Sequence, residues 1–336
     1  MHDEQLSKPD QPIRKGISVL VCTFNGSKRL PRTIEHLAQQ SVRTDVKWEI
    51  IVVDNASTDD TIDVVNKEWA KFQPVNTSLS VISEPKAGRV YALATGARSC
   101  KYEYLISCDD DNWLSRDYVQ KTYDLLESDH RIGAVGGQSF AVSSSGILPD
   151  WFDAYKEGYA VGQQGEASGD VTSRGYLFGA GLGTRTKLYR DIYANFPSLL
   201  VGRQGEKLSS GEDSEYCQRL ILKGYTLVYD NHLTFKHYIP EERLQTAYRD
   251  SLFAGFKEAD QILFDYYFTN KLRQKLANNI SSKIRLLIIS PLRLLFAKSE
   301  AKRRAQLRIL RYLLNLKSDD DPVFDAIRQF ERMESN

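Results

Sequence analysis

Cysteine is scarce in this chain: of 336 residues only Cys22, Cys100, Cys108 and Cys217 carry a thiol, with no CxxC pair and no partner at zinc-ligand spacing. That excludes a disulfide framework, a zinc finger and a dithiol redox motif. Reduced thiols in apolar runs fit a cytosolic address, which is the expectation here. Charge of one sign is lacking too. The 45 Lys and Arg nearly balance 44 Asp and Glu, for a net charge of +1, so the chain as a whole is no basic nucleic-acid module and no nucleic-acid partner is expected. No apolar run reaches the roughly 20 residues needed to span a bilayer. The opening MHDEQLSKPDQPIRKG is polar and reads, over residues 1–15, as a flexible lead-in that is not a signal peptide, so export is not expected. Neither a GxGxxG after the first strand nor a GxxxxGK[ST] occurs, which argues against dinucleotide and P-loop chemistry.

What is present is alternation. From Ile17 to Arg98, short β-branched runs alternate with stretches of helical period, the sequence form of βαβ units and an α/β fold with a mostly parallel sheet. Strands are expected at Ile17 to Thr23, Trp48 to Val53, Leu79 to Ser83 and Tyr104 to Ser107, and helices at Leu30 to Gln40, from Ser57, Thr58 and Asp59 through Trp69, and at Val90 to Arg98. A helix at Tyr118 to Ser128, a strand at Ile132 to Gly137 and a Gly-rich, aromatic stretch from Trp151 to Gly183 follow. Two of the strands end in acids, Asp54 and Asp109, and in a parallel sheet both ends face the ligand-binding edge.

Three segments carry chemistry. LISCDDDNWL, Leu105 to Leu114, sets Asp109, Asp110 and Asp111 side by side at a strand end. Adjacent carboxylates repel unless a cation joins them, and hard oxygen ligands on a turn suit Mg²⁺ or Mn²⁺. A solvated acidic turn or helix cap is the alternative. SSGEDSEYCQRLILKGY opens a helix at Ser210, Gly211 and Glu212, with Asp213 in its first turn, where the helix dipole keeps a carboxylate ionised as a general base requires. Both acids are also ordinary helix-start residues. LTFKHYIPEERL places His237 after a strand and before a Pro-bearing turn, within reach of a metal or diphosphate or serving only as a structural His. Arg89 and Arg243 are candidate diphosphate partners, because guanidinium forks match phosphate oxygens.

In order, VCTFNGSKRLPRTIEHLAQQ, EIIVVDNASTDDT, EPKAGRVYALATGA, LISCDDDNWL, GAGLGTRTKLYRD and GEDSEYCQRLILKGY resemble glycosyltransferase family 2, whose members have the GT-A fold. The resemblance covers about Ile17 to Phe256. LPDWFDAY with HYIPEERL looks like the subgroup that makes extracellular and hormogonium-type polysaccharides. The resemblance implies a GT-A domain over residues 16–243 and an inverting transfer from a nucleotide-diphosphate sugar, with UDP as the expected nucleotide. It implies Asp54 as the base contact, Thr23 and Asn25 as the nucleoside loop, Arg89 as a nucleotide contact, and Asp110 near the ribose or sugar. Asp109 and Asp111 match the metal-binding DxD motif, Asp213 the catalytic base with Glu212 beside it, and His237 a metal or diphosphate contact; Arg243 is expected on the donor. Trp151 is expected near the acceptor, and Gly181, among the glycines around Phe178, permits close backbone approach to donor or acceptor.

Residues 244–336 form an expected helical, basic extension. Between Arg285 and Leu316 its apolar runs are broken by Pro291 and Arg293, and Lys283, Arg285, Arg293, Lys298, Lys302, Arg303, Arg304, Arg308 and Arg311 fit amphipathic helices on an anionic membrane face, with peripheral contact through residues 280–316. Packing on the catalytic core or on a partner subunit is the alternative. Two other functions compete with glycosyl transfer. A sugar-phosphate nucleotidyltransferase calls for a Gly-rich basic loop after the first strand, where this chain has CTFNGSKRLP. A silent scaffold has no need of Asp109, Asp111 and Asp213 together.

Overall fold

β-Branched runs become strands and amphipathic stretches cover them. The computed structural model describes residues 12–72, 74–194, 196–200, 211–277, 279–317 and 320–333. Most of the lead-in, residues 1–11, and Ser210 of the helix-opening triplet lie outside the described residues. In chain order the elements are β1 (Arg14–Thr23), α1 (Leu30–Ala38), β2 (Trp48–Asp54), α2 (Thr61–Ala70), β3 (Thr77–Ser83), α3 (Arg89–Ser99), β4 (Tyr102–Asp109), β5 (Asn112–Leu114), α4 (Tyr118–Ser128), β6 (Ile132–Val142), α5 (Phe152–Tyr155), β7 (Gly169–Asp170), β8 (Leu182–Arg185), α6 (Thr186–Ala194), α7 (Glu212–Leu222), β9 (Thr226–Tyr238), α8 (Thr246–Ala277), α9 (Ile280–Leu295), α10 (Glu300–Leu314) and α11 (Pro322–Arg332).

The sheet runs β3-β2-β1-β4-β8-β6-β9-β5, with β7 on β9. β1, β2, β3 and β4 are parallel, whereas β8 joins β4 and β6 antiparallel, giving the expected mixed sheet. Alternate residues of β1 serve two cores, as period-2 geometry requires. Ile17, Val19 and Val21 pack with Leu30, Ile34 and Leu37 of α1 and with Tyr118 and Val119 of α4. Leu20 faces the other way, onto Ala92 and Leu93 of α3.

Two expectations are corrected. The strand expected before His237 runs on to Tyr238, so His237 stands within β9, opposite Asn112 of β5, and does not follow a strand. The C-terminal cations do not all face outward. Arg308 is buried between Asp265 of α8 and Asp321, and Arg304 and Arg311 also turn toward Asp321. The C-terminal helices thereby complete a core, in which Tyr266 of α8 and Ile327 and Phe330 of α11 pack with Tyr216, Cys217 and Leu220 of α7.

Candidate active site

The ends of β1, β2 and β4 meet at one sheet edge because Thr23 pairs in register with Asp54 and Cys22 with Asp109. Thr23, Asn25 and Asp54 therefore belong to one crevice. Asn25 takes a left-handed conformation (φ 48°), which Asn tolerates better than most residues. Its amide N–H donates to Ser57 Oγ at 2.9 Å and its side-chain oxygen accepts from the Thr58 N–H at 2.8 Å. Asp54 is buried and accepts the Ser57 N–H on Oδ1 at 3.3 Å. Asn55, unforeseen from sequence, ties this crevice to the next loop: its side chain donates to the Glu84 and Lys86 carbonyls at 3.1 and 2.7 Å and accepts from the Gly88 N–H at 2.8 Å. Gly88 (φ 134°) then launches α3 with Arg89 as its first residue.

The three acids of the strand end point to three different partners. Arg29 forks onto Asp110, Nε to Oδ1 and Nη2 to Oδ2 at 2.8 Å each, while Thr23 Oγ1 donates to Oδ2 at 2.6 Å. Asp110 thus locks the turn to the start of α1. Asp111 has its Oδ1 3.3 Å from His237 Nε2 and accepts from Arg243 Nη1 at 2.9 Å on Oδ2. Burial alone would push the Asp111 carboxyl up, but the His237 ring and Arg243 outweigh it and hold the group well below the usual carboxylate range. Asp109 turns instead to Arg89, whose Nη2 donates to its Oδ1 at 3.1 Å.

The same Arg89 reaches α7. Its Nη1 lies 3.5 Å from Glu212 Oε1, and burial, which alone would lower the guanidinium pKa, is outweighed by Asp109 and Glu212, which raise it further. Asp213 follows in the first turn, accepting the Gly179 N–H on Oδ2 and the Ser214 N–H on Oδ1, both at 2.8 Å. A Cβ on Gly179 would stand 3.0 Å from Asp213 Oδ2 and 3.4 Å from Arg89 Nη2, so both groups border that glycine. Asp109, Glu212, Asp213 and Arg89 therefore form one cluster, and the Asp111–His237–Arg243 set begins two residues further along the same strand-end turn.

On the buried face of α7 itself, Glu215 and Arg219 form a fully buried ion pair at 2.7 Å. Glu215 also accepts from the Leu199 and Leu200 N–H groups at 3.0 and 3.2 Å, from Tyr266 at 2.9 Å, and from Ser198 Oγ. An acid and an Arg four apart on one helix were visible in GEDSEYCQRL, but nothing in the spacing says that they face inward.

Trp151 packs among Phe152, Tyr155 and Tyr159, with the Arg249 guanidinium 5.1 Å from its ring centroid, so one face is already occupied. Gly181 (φ 74°) is packed against Tyr118, whose hydroxyl donates to its carbonyl at 2.7 Å. A groove of about 530 Å³ opens instead beside the helix start that carries Asp213, lined by Ser214 and Gln218 of α7, Arg174, Tyr176, and Phe264 and Tyr267 of α8. Those α8 aromatics were missed from sequence; their i, i+3 spacing within FDYYF was the available signal.

Among the described residues, no three His, Cys, Asp or Glu side chains are arranged to hold a metal. A Mg²⁺ or Mn²⁺ ion does not require three, because it is usually held by one or two carboxylates, waters and substrate phosphates. Asp111 with His237 fits that pattern, and His237 keeps a buried Nδ1 without a hydrogen-bond partner. Asp109, held by Arg89, stands apart from the pair. Cys22 offers no nucleophile, since burial pushes its thiol up to about 12.

Comparisons with known proteins bear on the family and the fold. Glycosyl transferase family 2 matches residues 18–165, and Glycosyl transferase family group 2 matches residues 104–316. The poly-beta-1,6-N-acetyl-D-glucosamine synthase of Staphylococcus aureus is 25% identical over 143 residues, 42% of this chain and 33% of that protein. The chondroitin synthase of Escherichia coli is 29% identical over 119 residues, 35% of this chain and 16% of that protein. The matches thus span a third or less of these relatives. The structure of S. aureus TarS 1-349 with UDP-GlcNAc shares the fold at a TM-score of 0.51 and 17% identity, over 94% of this chain and 80% of that one. With its GT-A fold and a group 2 match over more than half its length, the chain belongs to the family 2 glycosyltransferases.

Proposed function

We propose that this glycosyltransferase moves a sugar, with inversion, from a UDP-sugar to a hydroxyl of a cell-surface polysaccharide or lipid-linked glycan precursor at the inner face of the membrane. The observation that carries the reading is Arg89, which joins the strand-end acid Asp109 to Glu212 beside Asp213 and so gathers donor-side and base-side groups around one site. In a single displacement, the acceptor oxygen bonds the sugar carbon as the bond to the diphosphate breaks. The diphosphate leaves with the electron pair, and the acceptor proton passes to Asp213. Asp213 is suited to this because the Gly179 and Ser214 N–H groups fix its carboxylate in the first turn of α7. One base suffices, without the covalent nucleophile of a retaining scheme.

Asp54, with one oxygen on Ser57, offers the other to a base N–H, and Thr23 and Asn25 frame the nucleoside. Asp111 and His237 would hold Mn²⁺ or Mg²⁺, which when bound neutralises the departing diphosphate. Arg243 supplies positive charge beside them. The groove at Tyr176, Phe264 and Tyr267 offers flat aromatic faces for the acceptor, and Trp151, which does not line it, packs within its own aromatic cluster. A UDP-sugar is supported by the UDP-GlcNAc and UDP complexes of TarS, and a polysaccharide product by the names of the two synthases.

Calorimetric titration with UDP, dTDP and GDP, with and without Mn²⁺ or Mg²⁺, tests the donor side. We expect metal-strengthened binding of UDP that weakens in Asp54→Ala. Equal binding of all three nucleotides, or binding indifferent to metal and to Asp54, would overturn the assignment.

A further inference from the structure

An outward helix face is ordinarily polar, yet on α9 it is apolar. Leu286 and Ser290 are the buried positions, and Leu286 packs in a small core with Leu272 and Leu276 of α8 and with Ile309 and Tyr312 of α10. On the other side Ile280, Ile284, Ile288, Leu292, Leu295 and Phe296 follow at intervals of four, four, four, three and one, and all are exposed, Phe296 to 80% and Leu295 to 78%. Six large apolar groups in one stripe form a patch of the kind that marks an interaction surface.

The surroundings of the stripe identify its occupant. Lys283, Arg285, Arg293, Lys298, Lys302 and Arg303 are all exposed and have no acidic partner among the described residues, unlike Arg304, Arg308 and Arg311, which turn inward to Asp321. Glu300 is the sole acid between residues 280 and 317. A second copy docked face to face would bring like charges together, whereas an anionic lipid surface satisfies both the apolar stripe and its cationic margin. With 16 residues, α9 is about 24 Å long, and no described helix is long and apolar enough to cross a membrane. Lying in the interface is the geometry left to it. Between α9 and α10, Arg293 and Lys302 border a groove of about 330 Å³ that Leu292 and Phe296 also line, which suits a lipid phosphate above and the start of an acyl chain below.

We propose that α9 lies in the headgroup layer of an anionic membrane with this stripe inserted, and that Arg293 and Lys302 bind lipid phosphate. The purpose of the contact, to bring the site to a membrane-linked acceptor, rests on the function proposed above; the binding itself does not.

The test is co-sedimentation with vesicles of phosphatidylcholine alone and of phosphatidylcholine mixed with phosphatidylglycerol, alongside light scattering for the mass in solution. We expect the full chain to bind the anionic vesicles, in a salt-sensitive manner, and the neutral ones weakly. Arg293→Ala with Lys302→Ala should weaken binding by about fivefold for each cation removed. Ile288→Asp with Leu292→Asp should abolish it. All four side chains are exposed, so melting temperature and donor hydrolysis in solution should match the wild type. Equal binding to both vesicle types, or none, would overturn the proposal, as would a dimer that Ile288→Asp with Leu292→Asp dissociates in a chain that ignores vesicles. If vesicle binding behaves as expected while no donor turns over, the catalytic reading fails and the membrane contact stands.

Discussion

Glu215→Gln probes how α7 is held. Glu215 is fully buried and takes five donors: Arg219, Tyr266, the N–H groups of Leu199 and Leu200, and Ser198. Gln keeps the shape, removes the charge and puts an NH₂ where an acceptor oxygen stood. Its carbonyl can still serve one group of donors, but the amide then confronts either the Leu200 N–H or the Leu199 N–H with a second donor. Arg219 loses its counter-charge inside the protein. Removing one partner of a buried pair costs about 3–5 kcal/mol. The Arg219 side chain retains the Phe196 and Pro197 carbonyls at 2.6 and 2.8 Å and the Tyr266 hydroxyl at 2.9 Å, which argues for the lower end, about 3 kcal/mol. Equilibrium urea unfolding should show a lower midpoint at unchanged slope. Because Asp213 lies two residues away on the same helix, turnover should fall while the UDP binding proposed for the ends of β1 and β2 holds. Adding Arg219→Met should cost less than the two single losses summed, with a coupling of about 2 kcal/mol. A Glu215→Gln protein within about 0.5 kcal/mol of the wild type would show that the buried pair does not hold α7.

Gly26→Ala should damage the crevice proposed for the donor, because the new Cβ would fall 2.0 Å from Thr23 Oγ1 and 2.7 Å from Asp110 Oδ2; we expect about 1–3 kcal/mol of lost stability and weaker nucleotide binding by calorimetry. Arg89→Ala leaves Asp109 and Glu212 without the cation between them, so kcat/KM should fall by about a hundredfold or more, with only partial rescue by Lys, which lacks the fork; wild-type kinetics in Arg89→Ala would exclude a role in the site. The C-terminal helices should be acid-labile. Burial alone would push the Asp321 carboxyl up, but Arg308 and Arg304 outweigh it and hold it below its ordinary value. A depressed carboxylate stabilises fully above its unfolded-state pKa of about 3.9 and loses that contribution as pH falls through the folded value. Hydrogen exchange should therefore quicken first in α10 and α11 below about pH 4, and Asp321→Asn should remove that acid limb; exchange in those helices that ignores pH would count against the network.

The sheet was legible because period and turn chemistry agreed: ISVLVCT and WEIIVV are strands, Val90 to Arg98 lies within α3, and Tyr118 to Ser128 is helix α4. The candidate site was legible where an acid ends a strand, at Asp54 and Asp109. What the sequence could not show was direction. Asp109, Asp110 and Asp111 read as one cluster, yet adjacent side chains on a turn diverge, and each found a different Arg. Arg304, Arg308 and Arg311 read as surface cations because Asp265 and Asp321, their partners, are distant or unremarkable in sequence. Asn55 and Glu215 work through contacts to backbone groups, which no spacing rule encodes.

If one metal-assisted donor site and one base act together, release of nucleoside diphosphate from UDP-, dTDP- and GDP-sugars with Mn²⁺ or Mg²⁺ will separate the wild type from Asp111→Asn and Asp213→Asn. We expect metal-dependent turnover of a UDP-sugar, lost in Asp111→Asn and reduced about 10²–10⁴-fold in Asp213→Asn, the usual contribution of a general base. Turnover that persists without metal, or that Asp213→Asn leaves untouched, would contradict that joint action.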